Sequence, residues 1–111
     1  RAFGAEADVE IVVGYPALYN HEEPTALVRE AAREYVGPER VVELEPWFAS
    51  EDFAYFLQQR PGCFYRIGTG NPEKGIVHGL HTPRFTIDEE ALRIAPGFMA
   101  YLTWRYLQST A

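Results

Sequence analysis

The predicted fold is decided by residues 41–70, which read VVELEPWFASEDFAYFLQQRPGCFYRIGTG. The β-branched run at 41–44 predicts a strand that ends before Pro46, because proline has no N–H to donate to a strand ladder. Apolar residues at helical spacing predict a helix at about 50–59, closed by a Pro-Gly pair. The aromatic run at 63–67 predicts another strand. A strand, a helix and a strand in succession indicate an α/β fold.

The segments before residue 41 continue this alternation of strands and helices. Residues 7–15 alternate β-branched and polar side chains and predict a strand, which a Gly-Tyr-Pro sequence ends. Residues 24–36 carry apolar side chains on one helical face and predict a helix, with Gly37-Pro38 as its stop. Between the two elements, residues 15–23 collect Pro, Asn and acidic residues, so a domain boundary is expected there.

The C-terminal segment predicts a capped helix and a second, amphipathic one. Thr86 and Glu89 have the spacing of a capping box, in which each side chain accepts an unpaired N–H at a helix start. Pro96-Gly97 is expected to interrupt this helix, and residues 98–107 to form the terminal helix.

Composition excludes several classes of protein. The chain has 111 residues, of which 47% are hydrophobic and 14% aromatic, which argues against disorder. Sixteen Asp and Glu against ten Lys and Arg argue against a nucleic-acid partner. No apolar run approaches the roughly 20 residues of a membrane helix. The single cysteine, Cys63, cannot form an internal disulfide, which suits a reducing, cytoplasmic location.

The first residues, Arg1-Ala2-Phe3, lie in polar, helix-like sequence without a signal or transit pattern, and Met99 is the only methionine. We therefore expect a piece of a longer chain, or a processed product.

Two groups of residues could carry chemistry. His78 and His81 form an H-x-x-H pair, but Gly and Pro around them predict a loop, so both rings need not face one point. A metal ligand, a surface imidazole and a hydrogen-bonded packing group all stay open for each. Gly68-Thr69-Gly70 follows a predicted strand and offers backbone donors to a carboxylate or phosphate, although such loops are also common in plain turns.

Ser50-Glu51-Asp52 precedes the helix at 50–59 and has two interpretations. Capping is one, since a serine hydroxyl accepts backbone N–H groups and carboxylates favour the positive end of the helix dipole. Support of a catalytic or ligand group by a neighbouring carboxylate is the other.

Taken in order, several motifs resemble one family. They are Gly14-Tyr15-Pro16 with Asn20, Ser50 to Phe56, Pro61-Gly62, Ile67 to Gly70, and Leu80-His81-Thr82-Pro83-Arg84-Phe85. The set closely resembles the C-terminal part of the N-acyl amino acid amidohydrolases, which belong to the aminoacylase and carboxypeptidase group of dinuclear metallohydrolases and include hippurate hydrolases. The Ser-Glu-Asp-Phe and Leu-His-Thr-Pro-Arg-Phe segments are the specific ones, and the resemblance covers essentially the whole chain.

The resemblance implies a parent with two domains. Residues 1–15 would end an inserted α+β lid and dimerisation domain, 16–23 would form the hinge, and 24–111 would be the C-terminal part of a catalytic α/β domain. The parent would be a homodimer.

The resemblance also implies roles for individual residues. His81 matches the family's C-terminal metal ligand. Gly68, Thr69 and Gly70 match a loop near the substrate carboxylate. Asn20 is a further substrate-binding candidate, with a turn of the chain as its alternative. Glu51 and Asp52 would support the site without binding metal.

The implied activity is hydrolysis of the amide bond of N-acyl amino acids or similar small conjugates by a metal-activated water. Two divalent ions are implied, zinc first and manganese or cobalt as alternatives. The general base and the other ligands would come from an N-terminal part of the same protein. A non-catalytic binding or dimerisation module derived from the family is the second hypothesis, and an unrelated α/β domain with a coincidental H-x-x-H is the third.

Overall fold

A computed structural model describes residues 2–109 of the chain. Over these residues three α-helices form: α1 (Glu22–Val36), α2 (Phe53–Gln59) and α3 (Glu90–Ser109). Short 3-10 turns occur at Ala2–Gly4, Pro38–Arg40 and Pro72–Lys74. No helix in this part of the chain is long and apolar enough to span a membrane.

Helix α1 confirms the prediction for residues 24–36 and begins two residues earlier, at Glu22. Glu22 and Glu23 place negative charge on its first turn, where the helix dipole favours it. Gly37 ends the helix with φ +94°, a conformation that side chains disfavour, and its N–H donates to the Arg33 carbonyl at 3.1 Å.

Helix α2 is shorter than predicted, because it begins at Phe53 and not at residue 50. Ser50, whose hydroxyl was predicted to accept an N–H at the helix start, makes no such bond, and Glu51 caps the helix instead. Its Oε1 accepts the Phe53 N–H at 3.2 Å, whereas the Asp52 side chain makes no capping bond. The predicted Pro61-Gly62 stop follows the helix end at Gln59.

Helix α3 corrects two predictions. It runs without a break through Pro96-Gly97, where an interruption was predicted. Its start is capped not by Thr86 and Glu89 but by Asp88, whose Oδ1 accepts the Glu90 N–H at 3.3 Å. Proline in a helix removes one backbone hydrogen bond, and packing can offset that loss. Gly97 favours this packing, because a Cβ there would overlap the Tyr35 hydroxyl of α1.

The buried core is small and lies mainly where α1 and α3 pack together. Phe98 of α3 is only 5% exposed, and its ring centre lies 5.8 Å from that of Tyr35 and 5.3 Å from that of Tyr65. The other hydrophobic residues buried in the described part of the chain are Ala31, Ala54, Leu57 and Ala91. Phe98 is therefore the largest side chain of the core.

The three predicted strands lie without ladder partners in the described part of the chain. Residues 7–15, 41–44 and 63–67 form no paired strand, and the one isolated antiparallel bridge joins Asn71 and Ile76. Val13 is 92% exposed. A strand is stable only beside another strand or against a packed layer, so the α/β arrangement stays a prediction.

A polar network reinforces the α1–α3 contact. Glu34 of α1 accepts hydrogen bonds from Arg105 Nε at 2.9 Å and Nη2 at 2.7 Å, and from the Tyr101 hydroxyl at 2.6 Å. These bonds, those from Arg105 first, lower the pKa of Glu34 from 4.5 to about 2. The carboxylate is thus stabilised more in the folded chain than in the unfolded one.

The pH dependence of stability follows from this lowered pKa. The contribution of Glu34 is fully present above its ordinary pKa of 4.5 and is lost as the pH falls towards about 2. We expect the thermal midpoint to fall across this interval, and Glu34→Gln to reduce that fall. Circular dichroism melts at a series of pH values measure it. Glu30→Gln on the exposed side of α1 is the matched control, and an unchanged pH profile in Glu34→Gln contradicts the prediction.

Candidate functional site

His81 lies on an exposed turn between Gly79 and Phe85. The Thr82 hydroxyl donates to the Gly79 carbonyl at 2.9 Å, and the Phe85 N–H donates to the Thr82 carbonyl at 3.1 Å. His81 itself has φ +62°, in the left-handed region that residues other than glycine seldom adopt. Such strain costs roughly 1–3 kcal/mol and concentrates at functional sites. The imidazole is exposed and free to bind a ligand from outside this turn.

The described residues contain no cluster of metal-ligand side chains. Across residues 2–109 no three His, Cys, Asp or Glu side chains lie close enough together to hold an ion. An exposed neutral imidazole suits zinc, manganese or cobalt as one ligand of a larger set. The chemistry of His81 fits one ligand of a metal centre that would need further ligands from outside the described residues, and this role stays a prediction.

Contacts with neighbouring residues hold the Gly68-Thr69-Gly70 loop, and its backbone N–H groups have no partner among the described residues. The Thr69 carbonyl accepts the Asp88 N–H at 2.8 Å, and the bridge between Asn71 and Ile76 closes the turn that follows. The N–H groups of residues 68–70 donate no hydrogen bond to any described residue. Free backbone donors in a fixed loop suit an anionic group such as a carboxylate.

Asn20 joins the predicted hinge to the segment after α2. Its Nδ2 donates to the Phe64 carbonyl at 2.8 Å, and its Oδ1 accepts the Phe64 N–H at 2.7 Å. Beside it, the His21 N–H donates to the Gly62 carbonyl at 3.1 Å, and His21 Nδ1 accepts the Gly62 N–H at 3.2 Å. Asn20 thus has a structural role of its own, and its contact with substrate stays a prediction.

Removal of the Asn20 side-chain amide should destabilise the chain. We expect Asn20→Ala to cost about 1–2 kcal/mol, because it leaves the half-buried Phe64 N–H and carbonyl unpaired. Asn20→Asp keeps the acceptor and loses the donor, so an intermediate cost is expected. Urea unfolding of the three proteins measures the series. Equal stability of Asn20→Ala and the unsubstituted chain contradicts this role.

A half-open cavity of about 450 Å³ lies next to Asn20. Ser50 and Glu51 line it, as do Trp47 and Arg66. The Arg66 guanidinium lies 3.7 Å from the Trp47 ring centre, a cation–π contact. The cavity brings Asn20 and Glu51 together, whereas His81, Asp52 and the Gly68–Gly70 loop are not part of its lining.

The order and spacing of these residues match a known family. The model of peptidase family M20/M25/M40 matches residues 5–104, nearly the whole chain. The chain belongs to the M20/M25/M40 peptidase family. This confirms the resemblance to the N-acyl amino acid amidohydrolases, since family members with amidohydrolase and deacetylase names are among its relatives.

Curated members of the family are similar over most of the chain. A probable hydrolase of Synechocystis is 34% identical over 100% of this chain and 28% of its own length. The N-acetyl-L-cysteine deacetylase of Bacillus subtilis is 40% identical over 97% of the chain and 24% of its own length. Thermostable carboxypeptidase 1 of Saccharolobus solfataricus is 34% identical over 83% of the chain and 23% of its own length. The chain spans about a quarter of each relative. No solved structure shows significant similarity to it.

The M20/M25/M40 motifs did not point to Arg66, Trp47 or Asp88. The sequence offered one signal for Arg66, since it is the one charged residue in the aromatic run at 63–67. Asp88 lies inside the predicted capping box, but that pattern assigns the capping role to Thr86 and Glu89. Its bonds to Asn71 and Lys74 join residues distant in sequence, and no local pattern predicts such contacts.

Proposed function

We propose that this chain is part of a metal-dependent amidohydrolase that cleaves the amide bond of N-acyl amino acids or similar small conjugates. Membership of the M20/M25/M40 family supports hydrolysis, and the 40% identity to an N-acetyl-L-cysteine deacetylase supports an N-acyl amino acid as substrate. The observation that carries the proposal is His81, an exposed imidazole in strained backbone within the family match.

Residues of this chain would have separate tasks in the reaction. His81 would hold one of two divalent ions, zinc first and manganese or cobalt as alternatives. When bound, such ions activate water and polarise the amide carbonyl. The free N–H groups at 68–70 would bind the substrate carboxylate. Asn20 would contact the substrate, and Glu51 and Asp52 would support the site without binding metal.

The proposed domain arrangement assigns residues 1–15 to a lid and dimerisation domain, 16–23 to the hinge and 24–111 to the catalytic α/β domain of a homodimer. Two observations support it. Residues 9–13 lie outside any helix and are largely exposed, as expected of a strand whose neighbours lie elsewhere in the fold. Asn20 and His21 fasten the proposed hinge to residues 62–64.

The remaining part of the family fold is the proposed partner of the exposed apolar segments. Val42, Trp47 and Phe48 are 71%, 60% and 101% exposed. Apolar patches of this kind mark surfaces that another part of a protein covers. That part would also supply the general base and the other metal ligands.

The test uses the full-length protein, meaning this chain together with the remaining part of the family fold. N-acetyl and N-benzoyl amino acids are assayed for amino acid release, beside dipeptides and the matching N-acyl amino acid amides. We expect release from the N-acyl amino acids, its loss with a chelator and its return with zinc, manganese or cobalt. A metal-loaded protein that hydrolyses none of these compounds refutes the proposal.

A second candidate is a non-catalytic binding or dimerisation module derived from the family. It is favoured by the lack of a cluster of three metal-ligand side chains within residues 2–109. Under this alternative, analytical ultracentrifugation shows a dimer while the same assay shows no hydrolysis with any of the three metals.

A further inference from the structure

Asp88 connects the start of α3 to the loop that carries Thr69. Its own N–H donates to the Thr69 carbonyl at 2.8 Å. Its side chain accepts Asn71 Nδ2 at 2.6 Å on one oxygen, and Lys74 Nζ at 2.8 Å and the Glu90 N–H at 3.3 Å on the other. One carboxylate thus holds three groups, two of which belong to the segment directly after the Gly68–Gly70 loop.

The local environment favours this arrangement. The Asp88 side chain is only 15% exposed, so its bonds are partly shielded from water. The bond from Lys74, followed by that from Asn71, lowers the pKa of Asp88 from 3.8 to about 2. Asp88 is therefore ionised throughout the neutral range, and each of its bonds is charge-assisted.

Capping of α3 alone does not account for these contacts. A cap requires the bond from the Glu90 N–H, and many side chains supply one. The bonds from Asn71 and Lys74 do not involve the helix. They fasten the turn closed by the bridge between Asn71 and Ile76, and this turn fixes one end of the loop at 68–70.

We propose that Asp88 is a positioning residue for substrate recognition, which fixes the Gly68–Gly70 loop so that its free N–H groups bind the substrate carboxylate. The inference rests on the proposed function, since it assigns the loop to the substrate's amino acid moiety. Asp88 touches neither the substrate nor the metal ions. It acts through Asn71, Lys74 and the Thr69 carbonyl.

Asp88→Asn in the full-length protein tests the inference. The amide nitrogen that replaces one carboxylate oxygen would face either Asn71 Nδ2 or Lys74 Nζ, so one of these donors would lose its acceptor and the turn would loosen. We expect the KM for an N-acyl amino acid to rise about tenfold, the value of one charge-assisted hydrogen bond. We expect kcat within about twofold and an unchanged metal content, because the metal ligands are not altered. Amide exchange at residues 68–76, measured by mass spectrometry, should accelerate.

Two comparisons separate positioning from a purely structural role. The matching N-acyl amino acid amide lacks the carboxylate, so its kcat/KM should not change in Asp88→Asn. The double exchange Asn71→Asp with Asp88→Asn restores a donor opposite an acceptor and should recover most of the KM. Glu89→Gln, exposed and next in sequence, is the matched control and should leave both KM and amide exchange unchanged.

An active wild-type protein in which Asp88→Asn leaves amide exchange or KM unchanged overturns the inference. An equal loss of kcat/KM on the acid and the amide substrates also overturns it, since the loop would then have no special relation to the carboxylate. A wild-type protein inactive on every substrate refutes the proposed function itself, and with it the recognition role of the loop. In that case, faster amide exchange in Asp88→Asn would show only that Asp88 stabilises the structure of the loop.

Discussion

His81→Ala should lower the kcat/KM of the full-length protein for N-acyl amino acids by at least about 100-fold and reduce its bound metal. Loss of groups that merely orient a metal ligand already costs about 10- to 100-fold in affinity or activity, and loss of the ligand itself should cost more. The turn around residue 81 should keep its shape, because its two hydrogen bonds do not involve the imidazole. Steady-state kinetics together with elemental analysis of the dialysed protein measure both effects.

His78→Ala is the matched control for this substitution. His78 lies on the same exposed loop, three residues before His81, but has no position in the family motif. We expect its removal to leave kcat/KM within about threefold and the metal content unchanged. Equal losses in the two variants would mean that the loop, and not the His81 imidazole, matters. Full metal content and activity in His81→Ala would exclude His81 as a ligand.

Phe98→Ala should unfold the isolated chain or bring it close to unfolding. Removal of a buried phenylalanine side chain costs about 3–5 kcal/mol, and whole domains are stable by only about 5–15 kcal/mol. Phe98 is the largest of the five hydrophobic residues that are buried in the described part of the chain, and it contacts both α1, through Tyr35, and the 63–67 segment, through Tyr65. The free energy of unfolding in urea, followed by circular dichroism, measures the loss.

Phe48→Ala removes the same side chain at a position that is 101% exposed. In the isolated chain it should change the free energy of unfolding by less than about 0.5 kcal/mol. A Phe98→Ala chain as stable as the Phe48→Ala chain contradicts the account of the core. In the full-length protein, Phe48→Ala should become destabilising if the remaining part of the fold covers this face, as we propose.

Local sequence patterns predicted α1 and the end of α2 closely, but not the start of α2 or the bounds of α3. Helix α1 depends on apolar spacing within a few residues and on Gly37, so its bounds could be predicted closely. The continuous α3 could not, because its path through Pro96 is favoured by contacts with α1, including the space that Gly97 leaves for Tyr35. Such contacts depend on residues about sixty positions away.

Local sequence patterns alone cannot establish the predicted strands. Residues 7–15, 41–44 and 63–67 have the composition of strands, but a strand also needs a neighbour, and the described chain provides none for them. The roles of the loop at 68–70 and of His81 follow from motifs, because the proposed chemistry depends on residue type and order, and these roles stay predictions. The part played by Asp88 depends on contacts with Asn71 and Lys74, which only the fold brings together.

The central claim is that this chain contributes His81 to a metal centre completed by the rest of the family fold. A crystal structure of the metal-loaded full-length protein, with diffraction recorded at the absorption edge of the metal, tests it most directly. We expect an anomalous difference peak bonded to an imidazole nitrogen of His81. A fully occupied metal centre whose ligands do not include His81 would contradict it.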